Sequence, residues 1–125
     1  QTDTNTHTIL SLAYTPVSAS STLHITGILT FQVYGVGNGN NFEMEMLMKE
    51  GSTTIVDGTG IHWNTEAGTS QAHFTPTHVH KITRAASNTN ARTFTITLRS
   101  QVGSRRLQTT AAYGGYAIEI IEVAG

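Results

Sequence analysis

The chain has 125 residues, a formal net charge of −1 and no cysteine. This length fits one domain, and the near-zero charge provides no basic surface for nucleic acid or an anionic membrane. The lack of cysteine excludes disulfides and thiolate metal sites. No apolar run approaches the roughly 20 residues of a membrane-spanning helix, so we expect neither nucleic-acid binding nor membrane insertion.

The composition favours strands over helices. Charged residues make up 12% of the chain, compared with roughly 25% in ordinary globular domains. Thr, Ser, Asn and Gly take their place, and these residues are poor helix formers, while Thr favours strands. The composition therefore predicts an all-β protein with a surface of hydroxyls and amides.

Alternation of apolar and polar residues predicts the first two strands. One runs from Thr6 to Tyr14 and the other from Thr22 to Tyr34, and both show the two-residue period of a half-buried strand. Gly27 interrupts the second run, where we expect a bulge or kink. The segment Thr15 to Ser21 carries the Pro and Ser of a turn between the two strands.

The segment Phe42 to Lys49 allows two interpretations. Its Glu, Met, Leu and Lys are good helix formers, and Glu45 and Lys49 have the spacing of a helical ion pair. However, its apolar residues alternate strictly, and glycines bound this short run on both sides. Since an isolated helix of this length is marginal, we predict a strand.

Two further alternating runs complete the pattern. Arg92 to Arg99 places Phe94, Ile96 and Leu98 on one face, and Tyr116 to Ala124 reads as the last strand. Turn signals recur about every ten residues, which is typical of sandwiches and jelly rolls. We therefore predict a single domain over residues 1–125, an antiparallel β-sandwich or jelly-roll-like fold with about eight strands.

Four blocks carry a family resemblance. A strand, a Thr-Pro-x-Ser-x-x-Ser turn and a second strand occupy Ile9 to Ile25, and a strand–turn with Gly at its tip occupies Leu47 to Ile55. A polar loop and Thr-rich strand follow at Asn88 to Leu98, and a closing strand at Ala117 to Val123. In this order they resemble the C-terminal receptor-binding tip domain of trimeric phage tail fibres and phage-derived fibre-like adhesins. Two segments, Gly35 to Asn41 and His62 to His80, match no pattern of that family.

The resemblance implies a β-sandwich that assembles as a homotrimer, with residues 1–8 joining an upstream fibre shaft. It implies an extracellular location, on a virion tail fibre or a secreted cell-surface fibre, and attachment to a glycan or surface receptor of a host or prey bacterium. We expect no enzyme activity and no cofactor. Ile121 and Val123 are the candidates for burial between protomers. The alternative is a purely structural trimerisation or capsid-decoration domain without a ligand.

The first candidate ligand-binding residues are His62, Trp63 and Asn64. A tryptophan beside imidazole and amide groups suits a sugar, whose apolar face stacks on the ring while its hydroxyls meet polar neighbours. The alternative is a Trp63 half-buried at a sheet end or a trimer interface.

The second candidates lie in turns. Tyr113 and Tyr116 flank two glycines, a composition common in binding loops, although they could instead pack on the protein itself. In an up-and-down chain, alternate turns share one end, and this places Ser87, Asn88, Asn90 and Tyr113 together, facing the target cell. The turns counted to that end are Thr15 to Ser21, Glu50 to Ser52, Ala85 to Ala91 and Tyr113 to Gly115; a strand break at Asp57 to Gly60 would upset this count.

Two other side-chain pairs are candidates for metal binding or catalysis. His78 and His80 share one strand face, and three copies around an axis would supply six nitrogens for a metal ion. A pair of neutral histidines is the simpler interpretation, so no metal is favoured. Glu43 and Glu45 also share a face, as the paired carboxylates of a glycosidase would, but solvated outward positions are the favoured interpretation of both.

Overall fold

The computed structural model describes residues 6–30, 32–36, 41–56, 61–64, 72–74, 77–100, 106–108 and 115–125, with side chains described for 6–30, 45–56, 77–99 and 115–125. Eleven strands and no helix occur in these ranges, so none of the described residues belongs to a helix that could cross a membrane. The strands are β1 (Thr6–Tyr14), β2 (Thr22–Thr30), β3 (Gln32–Val36), β4 (Asn41–Glu50), β5 (Thr53–Val56), β6 (Ile61–Asn64), β7 (Ala72–Phe74), β8 (Thr77–Ala85), β9 (Arg92–Ser100), β10 (Arg106–Gln108) and β11 (Tyr116–Val123).

The larger sheet, called here the wide sheet, has the strand order β1–β9–β4–β5. The strand β6 also pairs with β4, beside its first four residues, while β5 pairs beside its last three. All pairings are antiparallel. In β1 the register shifts between Thr8 and Leu10, which marks a bulge at that point.

The second sheet, called the narrow sheet, has the order β11–β2–β8 and is also antiparallel. Its registers are continuous from Thr22 to Leu29 against β11 and from Thr22 to Thr30 against β8. The strand β3 begins two residues after β2 and pairs with β10 and β7. A long central path, β2 followed by β3, therefore has antiparallel neighbours on both sides.

The core lies between the wide and narrow sheets. Fully buried apolar side chains come from three central strands, β2, β4 and β9, and from the residue after β8; they are Leu23, Ile25, Leu29, Met46, Met48, Ala86, Phe94, Ile96 and Leu98. The alternating apolar positions predicted for the second strand and for Arg92 to Arg99 are thus the inward positions. The all-β antiparallel prediction is confirmed.

The strand interpretation of Phe42 to Lys49 is also confirmed, because these residues lie within β4. Met46 and Met48 are fully buried, and the backbone pairs with β9 from Met44 to Glu50. A helix would have scattered the alternating methionines around its circumference. The strand buries them together and gives the backbone ladder partners on both edges.

The predicted bulge at Gly27 is wrong. Gly27 pairs in unbroken register with Ile118 on one side and His80 on the other. Its lack of a side chain instead serves close packing, since a Cβ placed there would lie 2.7 Å from the Met48 Sδ of the opposite sheet. Glycine at this position lets the wide sheet's methionine approach the β2 backbone.

Candidate functional site

Three loops meet at one end of the sandwich, called here the loop end. They connect β1 to β2 (residues 15–21), β4 to β5 (Gly51–Ser52) and β8 to β9 (residues 86–91). A backbone hydrogen bond joins two of them, from the Ala86 N–H to Ser21 O at 2.8 Å, and the Gly51 N–H of the third donates to Thr93 O of β9 at 2.8 Å. This placement agrees with the turn count for the first three predicted turns.

Glu122, the last inward residue of β11, holds the β1–β2 loop. Its carboxylate accepts hydrogen bonds from the Val17 N–H at 3.0 Å, the Ser18 N–H at 3.2 Å and the Tyr14 hydroxyl at 2.5 Å. The hydrogen bond from Tyr14, followed by those from Val17 and from the hydroxyl of Ser21, lowers the pKa of Glu122 to about 2. A carboxylate with this many donors stays ionised and fixes the loop against β11.

Arg92, the first residue of β9, holds the β8–β9 loop. Its guanidinium donates to Ala86 O at 2.7 Å and to Asn88 Oδ1 at 2.9 Å, and a further donor nitrogen lies 3.0 Å from Glu50 Oε1. Asn88 Oδ1 also accepts the Asn90 N–H at 3.0 Å, which closes an Asx turn. The planar guanidinium thus connects the loop to β4 through several acceptors at fixed angles.

Charged residues close the space between the two sheets at the loop end. Glu50, Arg84 and Arg92 continue the inward positions of β4, β8 and β9, where the apolar core stops. Arg84 Nε lies 3.0 Å from Glu50 Oε2, although its N–H does not point at that oxygen, so this contact is an ion pair without a hydrogen bond. The loops are therefore supported by charged side chains that are partly shielded from water.

Ser87 indicates that the β8–β9 loop has a defined shape. Its φ of 61° is in the left-handed region, which costs a residue with a side chain roughly 1–2 kcal/mol. Such strain persists only where the surrounding contacts impose it, and here Arg92 and the Ala86–Ser21 hydrogen bond do so. The loop is therefore shaped before any ligand arrives.

The predicted residues of this loop differ in what they can offer a ligand. Ser87, Asn88 and Asn90 are all exposed. The carboxamide oxygen of Asn88 already accepts hydrogen bonds from Arg92 and from the Asn90 amide. Asn88 is thus first a structural residue, while the hydroxyl of Ser87 and the carboxamide of Asn90 extend into solvent.

Val17 is a residue of the loop end that the sequence reasoning missed as a site. It is 86% exposed, more than any other large apolar residue in the described part of the chain. Beside it lies a shallow depression of about 300 Å³, lined by Tyr14, Val17, Ser18, Ser21, Glu122 and Ala124. The signal was present in Pro16-Val17, an apolar residue inside a turn, but exposure cannot be read from a turn sequence.

The predicted turn Tyr113 to Gly115 is represented among the described residues by Gly115 alone, and Gly115 does not lie at this end. Tyr116 pairs with Leu29, and Gly115 O accepts a hydrogen bond from Thr30 N–H, so both lie at the opposite end of β2. The reason is that β10 and β11 both run antiparallel to the path of β2 and β3. Tyr113 itself lies outside the described residues.

His62, Trp63 and Asn64 belong to β6, and their side chains lie outside the described part of the structure. Their backbone pairs with the first residues of β4, Asn41 to Glu43. The next β4 residue, Met44, pairs with Ser100 at the end of β9 far from the loops. The candidate residues thus do not form one site: Ser87, Asn88 and Asn90 are separated from the other predicted group by the length of the sheets.

His78 and His80 lie on the face of β8 that turns toward the wide sheet. Their rings meet edge to face with centroids 4.6 Å apart, and the buried His80 Nε2 has no hydrogen-bond partner among the described residues. Burial lowers the pKa of both, and the neighbouring His78 lowers that of His80 further. Within the described residues, no group of three or more potential ligands joins them.

Glu45, one of the two carboxylates considered for a glycosidase-like pair, is engaged by another side chain. It is buried on the outer face of the wide sheet, and Arg99 forms an ion pair with it. The side chain of Glu43 lies outside the described residues.

Comparison of the chain with protein families, with curated proteins and with solved structures finds no match. The resemblance to fibre-tip domains therefore stays a prediction, and the arrangement of the described residues has to carry the functional argument.

Proposed function

We propose that this chain is a receptor-binding or adhesion domain at the tip of a homotrimeric fibre. Its loop end contacts a cell-surface glycan or another surface receptor of a host or prey bacterium. The observation that carries the proposal is the collection of three pre-shaped, exposed polar loops at one end of a sandwich. Exposed apolar side chains of β8 and β11 lie on a different surface, so in this proposal assembly and receptor binding use separate parts of the domain.

The direction of the strands supports this role. The strand β1 begins with Thr6, which pairs with Arg99, and runs toward the loop end, where Tyr14 pairs with Arg92. A shaft joined ahead of β1 would leave the loops at the far tip of the fibre. Strand length separates the two ends by about 25–30 Å, since each residue of a strand advances the chain by about 3.3 Å.

The chemistry of the loop end suits a hydroxylated ligand. The Ser87 hydroxyl and the Asn90 carboxamide donate and accept hydrogen bonds, and the apolar side chain of Val17 stands beside a shallow depression. A sugar presents hydroxyls and apolar C–H faces at the same time, which matches such a mixture. Loops held by Arg92 and Glu122 lose little conformational entropy on binding.

Multivalency compensates for a shallow site. One loop end offers few groups to a ligand, so we expect its affinity to be weak. Three copies on one tip convert the second and third contacts into intramolecular events, and the avidity rises without any new contact.

The test is binding of the purified chain to an array of bacterial surface polysaccharides and glycans. We expect retention of the unaltered chain on at least one array member and loss of that signal for the double variant Ser87→Ala/Asn90→Ala. Tyr116→Ala is the matched control because it changes an exposed residue at the opposite end of β2. Circular dichroism confirms that each variant keeps its strand content.

The outcomes separate the competing interpretations. Equal loss of binding for the control and the loop variant contradicts the assignment of the site to the loop end. Absence of binding to the whole array, together with self-association, favours the purely structural domain. Release of saccharide products from an array polysaccharide would instead indicate an enzyme.

A further inference from the structure

The outer face of the narrow sheet carries exposed apolar side chains on its two edge strands. Val79 of β8 is 48% exposed, and Ile121 and Val123 of β11 are 54% and 48% exposed. Outward residues alternate with inward ones along both strands, and every outward residue from 117 to 123 and from 79 to 85 is exposed. No described element covers this face, which we call the outer face.

The registers arrange the outer face in four rows across β11, β2 and β8. The rows are Ala117–Ile28–Val79, Glu119–Thr26–Lys81, Ile121–His24–Thr83 and Val123–Thr22–Ala85. In each row the two edge residues are complementary in size or in charge. Where one edge has a large apolar residue the other has a smaller one, and where one edge is acidic the other is basic.

This pattern is complementary to itself. If the β11 edge of one copy meets the β8 edge of another in the same row, Val79 faces Ala117 and Ile121 faces Thr83. Val123 then faces Ala85, and Glu119 faces Lys81. Large residues opposite small ones fill a packed layer, and opposite charges at matched heights fix the register.

The charges also determine whether neighbouring copies are parallel or antiparallel to each other. A rotation axis parallel to β2 keeps each row at its own height and brings Glu119 of one copy to Lys81 of the next, for two copies or three. An axis across the strands places β11 against β11. Glu119 then faces either another Glu119 or an uncharged residue, depending on the register, so this antiparallel arrangement lacks the ion pair.

We propose that the outer face binds further copies of this chain about an axis parallel to β2, with Glu119 of one copy against Lys81 of its neighbour. This deepens the self-association in the proposed function by naming the face, the register and the direction. All loop ends then point the same way, which multivalent contact with one surface requires.

Charge reversal tests the pairing. Sedimentation equilibrium of Glu119→Lys and of Lys81→Glu should each show association weakened roughly tenfold or more, because like charges then face each other. The double variant Glu119→Lys/Lys81→Glu should recover the association of the unaltered chain. The matched control is Lys49→Glu, which changes a charge on the wide sheet, on the side away from the core. The association of this variant should equal that of the unaltered chain.

Cross-linking tests the relative direction of neighbouring copies. Because the chain has no native cysteine, only the introduced thiols react. Facing sheets lie about 10 Å apart, beyond the reach of a disulfide, so a short bismaleimide is the suitable reagent. A mixture of a tagged Glu119→Cys chain and an untagged Lys81→Cys chain should give mainly the mixed product. Predominant joining of Glu119→Cys chains to each other indicates the antiparallel arrangement and overturns the proposal, as does a monomer at all concentrations.

The result is distinguishable from failure of the proposed function. A monomeric chain that still loses array binding on Ser87→Ala/Asn90→Ala refutes the outer-face assembly and leaves the loop site standing. An assembly with the predicted charge dependence but no effect of the loop variant refutes the loop site alone.

Discussion

Replacing Arg92 with methionine is the sharpest perturbation of the loop end. The Arg92 side chain is only 12% exposed, and its guanidinium contacts Glu50 Oε1, Ala86 O and Asn88 Oδ1. Methionine keeps much of the aliphatic stem and removes all of these donors. The half-buried carboxylate of Glu50 and the carbonyl of Ala86 then lose their main partner.

The expected cost is about 2–4 kcal/mol of unfolding free energy. Hydrogen bonds to charged groups contribute about 1.5–3 kcal/mol each and do not add, and loss of one member of a fully buried ion pair costs about 3–5 kcal/mol. Partial exposure and the remaining Arg84 beside Glu50 reduce that figure. For a chain of this size the loss lowers Tm by roughly 6–16 °C.

Urea unfolding, at one fixed protein concentration for all variants, measures this cost. Arg84→Met is the matched control, because Arg84 is 39% exposed and forms an ion pair without a hydrogen bond. Its expected cost is below about 1 kcal/mol. The double variant Arg92→Met/Glu50→Gln should cost less than the sum of the two single variants, because the carboxylate that needs compensation is gone.

An equal cost for Arg92→Met and Arg84→Met would refute the reasoning, because the structure assigns the loop's hydrogen bonds to Arg92 alone of the two. Additivity in the double variant would show that Arg92 and Glu50 do not interact in solution.

Three further predictions concern acid stability and the core. The pKa of Glu122 is lowered to about 2 from 4.5, so its contribution to stability is full above pH 4.5 and is lost as the pH falls toward 2; Glu122→Gln should remove that dependence in urea titrations across this range. Burial lowers the pKa of His78 and His80 below 6.5, so the unfolded chain binds more protons and stability falls as the pH drops below about 6.5; the double variant His78→Gln/His80→Gln should show a flatter profile between pH 7 and 5. Gly27→Ala should cost about 1–3 kcal/mol through contact with Met48, and in a double-mutant cycle with Met48→Ala, which costs about 2–5 kcal/mol alone, the two losses should sum to more than the double variant shows; simple additivity contradicts the packing assigned to Gly27.

Local alternation was enough to predict the strands that carry most of the core, β2, β4 and β9. Phe94, Ile96 and Leu98 repeat every second residue and are buried together, and the alternating methionines of β4 outweighed helix formers such as Glu45. A two-residue period determines which face of a strand is buried, whichever strand becomes its neighbour. This is why the fold class followed from the sequence.

Features that depend on distant partners could not be predicted. The use of Gly27 depends on Met48, 21 positions away in the chain and on the other sheet, so a local reading suggested a bulge instead. The contact of Arg92 with Glu50 joins residues 42 positions apart. Sequence spacing gives no information about which strands become neighbours across a core.

The candidate site was predicted only in part, because part of it also depends on distant neighbours. Counting turns placed Ser87 and Asn90 correctly at an exposed loop end, because the strands before them alternate in direction. The count failed at Gly115, because β10 and β11 both run antiparallel to the path of β2 and β3. Val17 was missed since exposure of an apolar residue depends on what the surrounding loops leave uncovered.

Hydroxyl-radical footprinting of the chain, free and bound to an array polysaccharide that retains it, tests most directly whether the loop end is the recognition surface. We predict that binding protects Val17 and the segment 87–90 from oxidation, whereas Tyr116, exposed at the opposite end of β2, keeps its reactivity. Protection of Tyr116 with unchanged reactivity of Val17 and residues 87–90 would contradict this assignment.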